Sequence, residues 1–157
     1  MSDKNISLVI AVYNEEKHLS ELNKKVVNEL EKITSRYQIV YVDDGSNDSS
    51  LDLIKNFSKL NDNIHYISFA KNFGQHAAIM AGFSKVKGDY VFTLDADLQN
   101  PPEEILKLYN KILNSNYDIV TGVRANRKDK FYRRFSSYIM NKIISIITNV
   151  KLKDYGC

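Results

Sequence analysis

Cysteine is almost missing. The single one, Cys157, stands at the last position, so no internal disulfide can form, and the chain reads as a protein of a reducing compartment. Glycine and proline are scarce, at 6 and 2, and fall at turns. That excludes low-complexity tracts and flexible interdomain linkers. No apolar run reaches the roughly 18 residues of a membrane-spanning helix. The opening MSDKNISLVIAVYNEE has no long apolar core of the kind a signal peptide needs, so none is expected. A net charge of +3 is too small to imply nucleic acid as a partner.

What is present is ordinary for a globular protein: 43% hydrophobic and 26% charged residues, enough to exclude disorder over most of the length. The length of 157 residues suits one domain, 1–157, with one substantial core. The chain stops abruptly after Tyr155-Gly156-Cys157, and the expectation is a piece of a longer protein. Basic residues crowd near that end: Arg124, Arg127, Lys128, Lys130, Arg133 and Arg134. Such a cluster meets phosphates or an anionic membrane surface, or is simply a solvated face.

Strand-like and helix-like segments alternate. Ile6 to Val12, Gln38 to Val42, Ile64 to Phe69, Tyr90 to Leu94 and Tyr117 to Val120 are short apolar runs expected to form strands. Leu19, Leu22, Val26, Leu30 and Ile33 recur at helical spacing, as do Leu51, Ile54 and Phe57. Residues 76–83 are small and apolar nearly all round, which predicts a buried helix. Pro101 and Pro102 open a further helix, with Asn100 as its cap, Glu103 and Glu104 in its first turn, and Ile105, Leu108, Ile112 and Leu113 as its apolar face. Phe131 to Thr148 holds one more amphipathic helix, read equally as an interfacial helix or as one that packs on a core. The order predicts an α/β fold: a mainly parallel sheet with helices on both faces.

In such folds ligands bind beyond the carboxyl ends of the strands. Three polar clusters fall there: Tyr13-Asn14-Glu15, Asp43-Asp44-Gly45-Ser46 and Asp95-Ala96-Asp97-Leu98-Gln99. Acids brought to one edge repel each other, so a positive partner is expected among them. In an extended segment alternate side chains point the same way, so Asp95, Asp97 and Gln99 would present oxygens to one hard cation such as Mg²⁺ or Mn²⁺. The plainer alternative is that Asp97 or Asn100 caps the next helix, but capping does not call for Asp95. Asp43 and Asp44 would repel phosphate. They fit hydrogen bonding to a base or ribose, or an ordinary Asx turn. Neither Gly-rich phosphate-loop pattern is present. His18, His65 and His76 do not form a ligand set by spacing, and Cys157 has no evident activating base.

These residues lie in VIAVYNEE (9–16), VYVDDGSNDSS (40–50), NFGQHAAIMAGFSKVKGDYVFTLDADLQNPPEE (72–104), VTGVRANR (120–127) and DYGC (154–157). Together they resemble glycosyltransferase family 2, whose members have the Rossmann-like GT-A fold. The wording at 72–76, 97–103 and the late basic region is similar to the polyprenyl-phosphate branch, which includes dolichyl-phosphate mannose synthases. It is nearest to the bacterial undecaprenyl-phosphate 4-deoxy-4-formamido-L-arabinose transferases.

The resemblance implies an inverting, metal-dependent transferase that moves a sugar from a UDP-sugar to a polyprenyl phosphate in cell-envelope modification. Its place would be the cytoplasmic face of the bacterial inner membrane. Val12, Tyr13 and Asn14 would line the base pocket, and Glu15 and Asp43, with Asp44 beside them, would bind ribose and uracil. Asp95, Asp97 and Gln99 would hold Mg²⁺ or Mn²⁺ on the diphosphate. Arg124 and Arg127 would meet phosphates, Arg133 and Arg134 would face the lipid phosphate and membrane surface, and Asp154 would lie near the acceptor. The branch usually continues past a DYGC-like segment, often into two transmembrane helices, so activity of this piece alone is in question. Rival readings are a soluble family 2 enzyme acting on a sugar hydroxyl, a nucleotidyltransferase and a nucleotide-binding-only module. A nucleotidyltransferase usually carries a Gly-rich basic loop where this chain has AVYNEEKH. Which sugar, which ion and whether the chain forms a homo-oligomer stay open.

Overall fold

The computed structural model describes residues 4–122. The chain divides into two compact units, Met1–Lys107 and Leu108–Cys157. The first unit carries a four-stranded sheet. Its elements run β1 (Ile6–Val12), α1 (Glu16–Ile33), β2 (Tyr37–Asp43), α2 (Ser50–Leu60), β3 (Ile64–Ser68), α3 (Gln75–Phe83) and β4 (Tyr90–Asp95), and α4 (Glu104–Leu113) follows. The spatial order is β3-β2-β1-β4, and every pairing is parallel. The expectation of an α/β fold with helices on both faces is met.

The reason is visible in the strands. β1 and β2 are apolar almost throughout and buried at nearly every position, which suits central strands covered on both sides. Tyr41 reaches α1 through a hydrogen bond from its hydroxyl to Asn23 Oδ1 at 3.1 Å and stacks obliquely on Phe57 of α2, so α1 and α2 share its face. Val9, Val40 and Val42 on the other face pack with Ala78 of α3. Gly82, one turn beyond Ala78, lets α3 approach closely: a Cβ there would sit 2.3 Å from Val9 Cγ1.

Three expectations are corrected. The helix predicted to be buried is buried only along the Ala78 and Gly82 edge, while Met80 is 65% and Phe83 41% exposed. An all-round apolar pattern has no amphipathic signal to say which side is covered. Tyr117 to Val120 runs as irregular chain with Tyr117 and Ile119 exposed, not as a strand. A run this short forms a strand only when a neighbour completes its hydrogen bonds, and among the described residues none does. The helix after the prolines begins at Glu104, preceded by a tight turn in which Glu104 and Ile105 N–H groups donate to the Pro101 and Pro102 carbonyls. Among the described residues, no helix is long and apolar enough to cross a membrane.

Candidate functional site

The register sets the site. Asp43 stands beside Val12 of β1 on one side and Ser68 of β3 on the other, while Asp95 stands beside Ala11. All lie at the carboxyl edge, and β1 is flanked there by β2 and β4, which leave it in opposite directions along the sheet. That is where the strand order reverses and where an open parallel sheet offers its crevice. Registered neighbours share a face and successive residues alternate. Asp43 therefore belongs to the face of α1 and α2, and Asp44 and Asp95 to the face of α3.

Asp43 is buried at 1% exposure, and its carboxylate accepts from Ser46 N–H and Ser68 Oγ, both at 3.3 Å. These bonds are long for hydrogen bonds, so the carboxylate keeps capacity for a better donor. Asp44, expected beside it at the donor, is bonded to backbone through both oxygens. They accept the Phe73 and Gly74 N–H groups at 2.7 and 2.9 Å. The loop before α3 is thus hung from the end of β2. Gly45 completes the hold: its φ is +71°, and a Cβ there would lie 2.5 Å from the Lys71 carbonyl carbon. Only glycine fits both demands.

Asn14 and Glu15 are held by the loop after β2 and the first residue of α2. Asn14 N–H donates to Ser46 Oγ at 3.0 Å, and Asn47 N–H returns to Asn14 Oδ1 at 2.8 Å. Glu15 N–H donates to Ser50 Oγ at 2.9 Å. Asp48 accepts from Ser50 N–H at 2.9 Å and Glu16 N–H at 3.1 Å, and Glu16 accepts from Ser49 N–H. Burial would raise the Asp48 carboxyl, but the Ser50 side-chain and backbone bonds, with that from Glu16, outweigh it and hold the carboxyl below its usual value. Asp48 was missed in the sequence, where its only signal was a polar residue shortly before a helical pattern. Tyr13 is 44% exposed at this edge. The Glu15 carboxylate contacts His18 Nδ1 at 2.7 Å on the first turn of α1, a partner that spacing did not reveal.

The Asp95–Gln99 segment differs in conformation from its expectation. β4 ends at Asp95, the chain turns at Ala96 and Asp97, and Leu98 takes φ +59°. Alternation along an extended strand therefore does not align the three side chains. The Asp97 side chain accepts Gln99 N–H at 3.0 Å, an Asx turn. Asn100 does not cap α4; its Nδ2 donates to Asp95 Oδ2 at 3.2 Å, and Gln75 Nε2 donates to Asp95 Oδ1 at 2.6 Å. No group of three His, Cys, Asp or Glu side chains shaped for a metal occurs among the described residues. The set still fits a hard divalent ion of the Mg²⁺ or Mn²⁺ type, which takes one or two protein carboxylates and completes its shell from phosphates and water. Among the described residues, Asp95 is bonded to neutral amides alone and no cation pairs with Asp97. Arg124, Arg127, Arg133, Arg134, Asp154 and the Phe131 to Thr148 segment lie outside the described residues.

A parallel α/β sheet with acids gathered at its switch point is the arrangement of the GT-A fold. Solved structures agree in fold. A mannosyltransferase from Pyrobaculum calidifontis, in complex with GDP-Man and Mn²⁺, superposes with a TM-score of 0.63 at 18% identity, over 74% of this chain and 34% of that one. Mannosyl-3-phosphoglycerate synthase from Rubrobacter xylanophilus gives 0.60 at 17%, over 72% and 37%. TarS 1-349 of S. aureus, in complex with UDP-GlcNAc, gives 0.56 at 19%, over 80% and 38%. The chain spans little more than a third of the length of these proteins. The family described as glycosyl transferase family 2 matches residues 7–156, and the chain belongs to it.

Proposed function

We propose that this chain is the donor-binding catalytic domain of an inverting glycosyltransferase that moves a sugar from a UDP-sugar to a polyprenyl phosphate. The observation that carries the reading is the meeting of Val12–Glu15, Asp43 and Asp95–Gln99 at the edge where the strand order reverses. The similar folds solved with GDP-Man and Mn²⁺, or with UDP-GlcNAc, support a nucleotide-sugar donor. The likeness of 72–76 and 97–103 to the polyprenyl-phosphate branch, and the basic run from Arg124 to Arg134, support a lipid-phosphate acceptor at a membrane surface.

In this reading Asn14, fixed by the loop after β2, forms one wall of the base pocket with Tyr13 and Val12. Asp43, held by two long hydrogen bonds, accepts from the base or ribose, and Glu15 accepts from the ribose. Asp95 and Asp97, with Gln99, would hold Mg²⁺ or Mn²⁺, which neutralises charge on the departing diphosphate. The acceptor phosphate is already an anion near neutral pH, so its oxygen attacks the anomeric carbon without a strong general base. The anomeric C–O bond to UDP breaks as the new bond forms on the opposite face, and configuration inverts. Arg124, Arg127 and the later arginines offset repulsion between two phosphate-bearing substrates, with forked donors that a lysine lacks. By the family resemblance alone, Asp154 would serve the acceptor side.

The test is calorimetric titration of the chain with UDP, with and without Mn²⁺. Metal-dependent binding that Asp95→Asn or Asp97→Asn abolishes is expected; UDP binding that ignores both metal and substitutions overturns the metal assignment. Transfer from UDP-sugars to undecaprenyl phosphate against a free sugar acceptor then decides the acceptor, and turnover with the free sugar alone refutes the lipid-phosphate reading.

A further inference from the structure

Gln75 stands where two parts of the site meet. It is the first residue of α3 and is exposed, and its Nε2 donates to Asp95 Oδ1 at 2.6 Å. Asn100 Nδ2 holds the other oxygen at 3.2 Å. The Asp95 carboxylate is therefore gripped at both ends by neutral amides, which restrain its rotation without neutralising it. Neither amide competes as a cation would, and each carboxylate oxygen retains a second lone pair.

The position of Gln75 is itself determined upstream. The two residues before it, Phe73 and Gly74, hang by their N–H groups from the buried Asp44 carboxylate, and Gly74 turns the chain into α3 at φ +94°. Gly45 packs directly on Lys71. A continuous path runs from the end of β2, through the loop 71–74 and the start of α3, to the end of β4.

We propose that Gln75 is a positioning residue that orients Asp95 for the divalent cation, and that Asp44 acts on Asp95 through it. The inference rests on the donor-site reading above. Groups that hydrogen-bond a metal ligand fix its orientation, and their loss typically lowers metal affinity by about 10–100-fold. Gln75→Met keeps the length of the side chain and removes the donor. Because Gln75 is exposed, the fold should survive, and an unchanged thermal midpoint checks that.

The readout is UDP affinity by calorimetry with and without Mn²⁺, together with Mn²⁺ occupancy by electron paramagnetic resonance. In Gln75→Met the Mn²⁺-dependent gain in UDP affinity should fall about 10–100-fold, while metal-free UDP affinity stays as in the wild type. Asp44→Asn should lower the same gain, and the double variant should be no worse than the more affected single one. A wild-type gain in Gln75→Met overturns the inference and leaves the donor site standing. An equal loss of affinity with and without metal makes Gln75 a donor contact and also overturns it. A wild-type protein with no metal-linked gain at all refutes the donor-site reading, and the inference falls with it.

Discussion

Replacing Asp44 by asparagine should unfold the domain more readily than any other acid-to-amide change at the site. The carboxylate is 3% exposed and accepts two backbone N–H groups, one on each oxygen. Asparagine offers one acceptor oxygen; its NH₂ must face the second backbone donor. One buried N–H then loses its acceptor, at about 1–3 kcal/mol, and the surviving bond drops from charge-assisted to neutral, about 1 kcal/mol more. The neutral side chain is easier to desolvate, which returns part of this. A net loss of about 2 kcal/mol follows, or about 4–8 °C in Tm for a chain of this size.

Urea unfolding of the full chain measures it. With m in the usual range of about 1–3 kcal/mol/M, the midpoint should fall by about 1 M with m unchanged. Asp97→Asn is the control. Its side chain is partly exposed and closes only a local turn with Gln99, so its change should stay within about 0.5 kcal/mol. Equal midpoints for Asp44→Asn and Asp97→Asn would refute the claim that Asp44 carries the loop before α3.

Gly82→Ala should cost about 1–3 kcal/mol by overpacking, since its Cβ would enter Val9 and approach Val42; a denaturation midpoint equal to wild type would contradict the close contact of α3 with the sheet. Gly45→Ala should cost more than the roughly 1 kcal/mol of left-handed strain alone, because its new Cβ meets backbone rather than a flexible side chain; circular dichroism melts measure it, and a cost within that figure contradicts the contact with Lys71. The folded Asp48 carboxyl titrates below its unfolded value, so its contribution is present above the unfolded pKa and is lost as pH falls through the folded one. Asp48→Asn should therefore flatten the acid limb of stability against pH below about 4, with little change in that limb's slope above it; an acid limb identical to wild type would show that the Ser50 and Glu16 bonds do not favour the charged form.

Much of this architecture was legible because periodicity and composition agreed. The first four strands and the first two helices lie where apolar spacing put them, since each buries one clear face or a continuous apolar run. The failures share a physical cause. Tyr117 to Val120 and residues 76–83 carried apolar character without saying what, if anything, would cover it, and the outcome depended on neighbours that a local pattern does not contain. Asn100 precedes two prolines and so reads as a cap, yet its amide is turned to donate Nδ2 to the Asp95 carboxylate. The stitches from Ser46, Asn47, Asp48 and Ser50 to residues 14–16 were invisible for the same reason: each joins residues more than thirty positions apart.

The pair Asp43-Asp44 shows what a motif hides. Read as a string, two adjacent acids look like one feature, and both were assigned to the donor. At a strand end, consecutive side chains leave opposite faces. Asp43 belongs to the face of α1 and α2, buried, with its oxygens held by two long bonds. Asp44 faces α3 with both oxygens taken by backbone. In the proposed reading Asp43 serves the donor, while Asp44 holds the loop that reaches Asp95. An exchange of their roles by substitution is then not expected: Asp43→Asn should weaken UDP binding with little effect on unfolding, whereas Asp44→Asn should weaken the fold first. The same separation explains how a sheet edge tolerates so many carboxylates among the described residues, since backbone and amide donors hold them on two faces instead of in one repelling cluster.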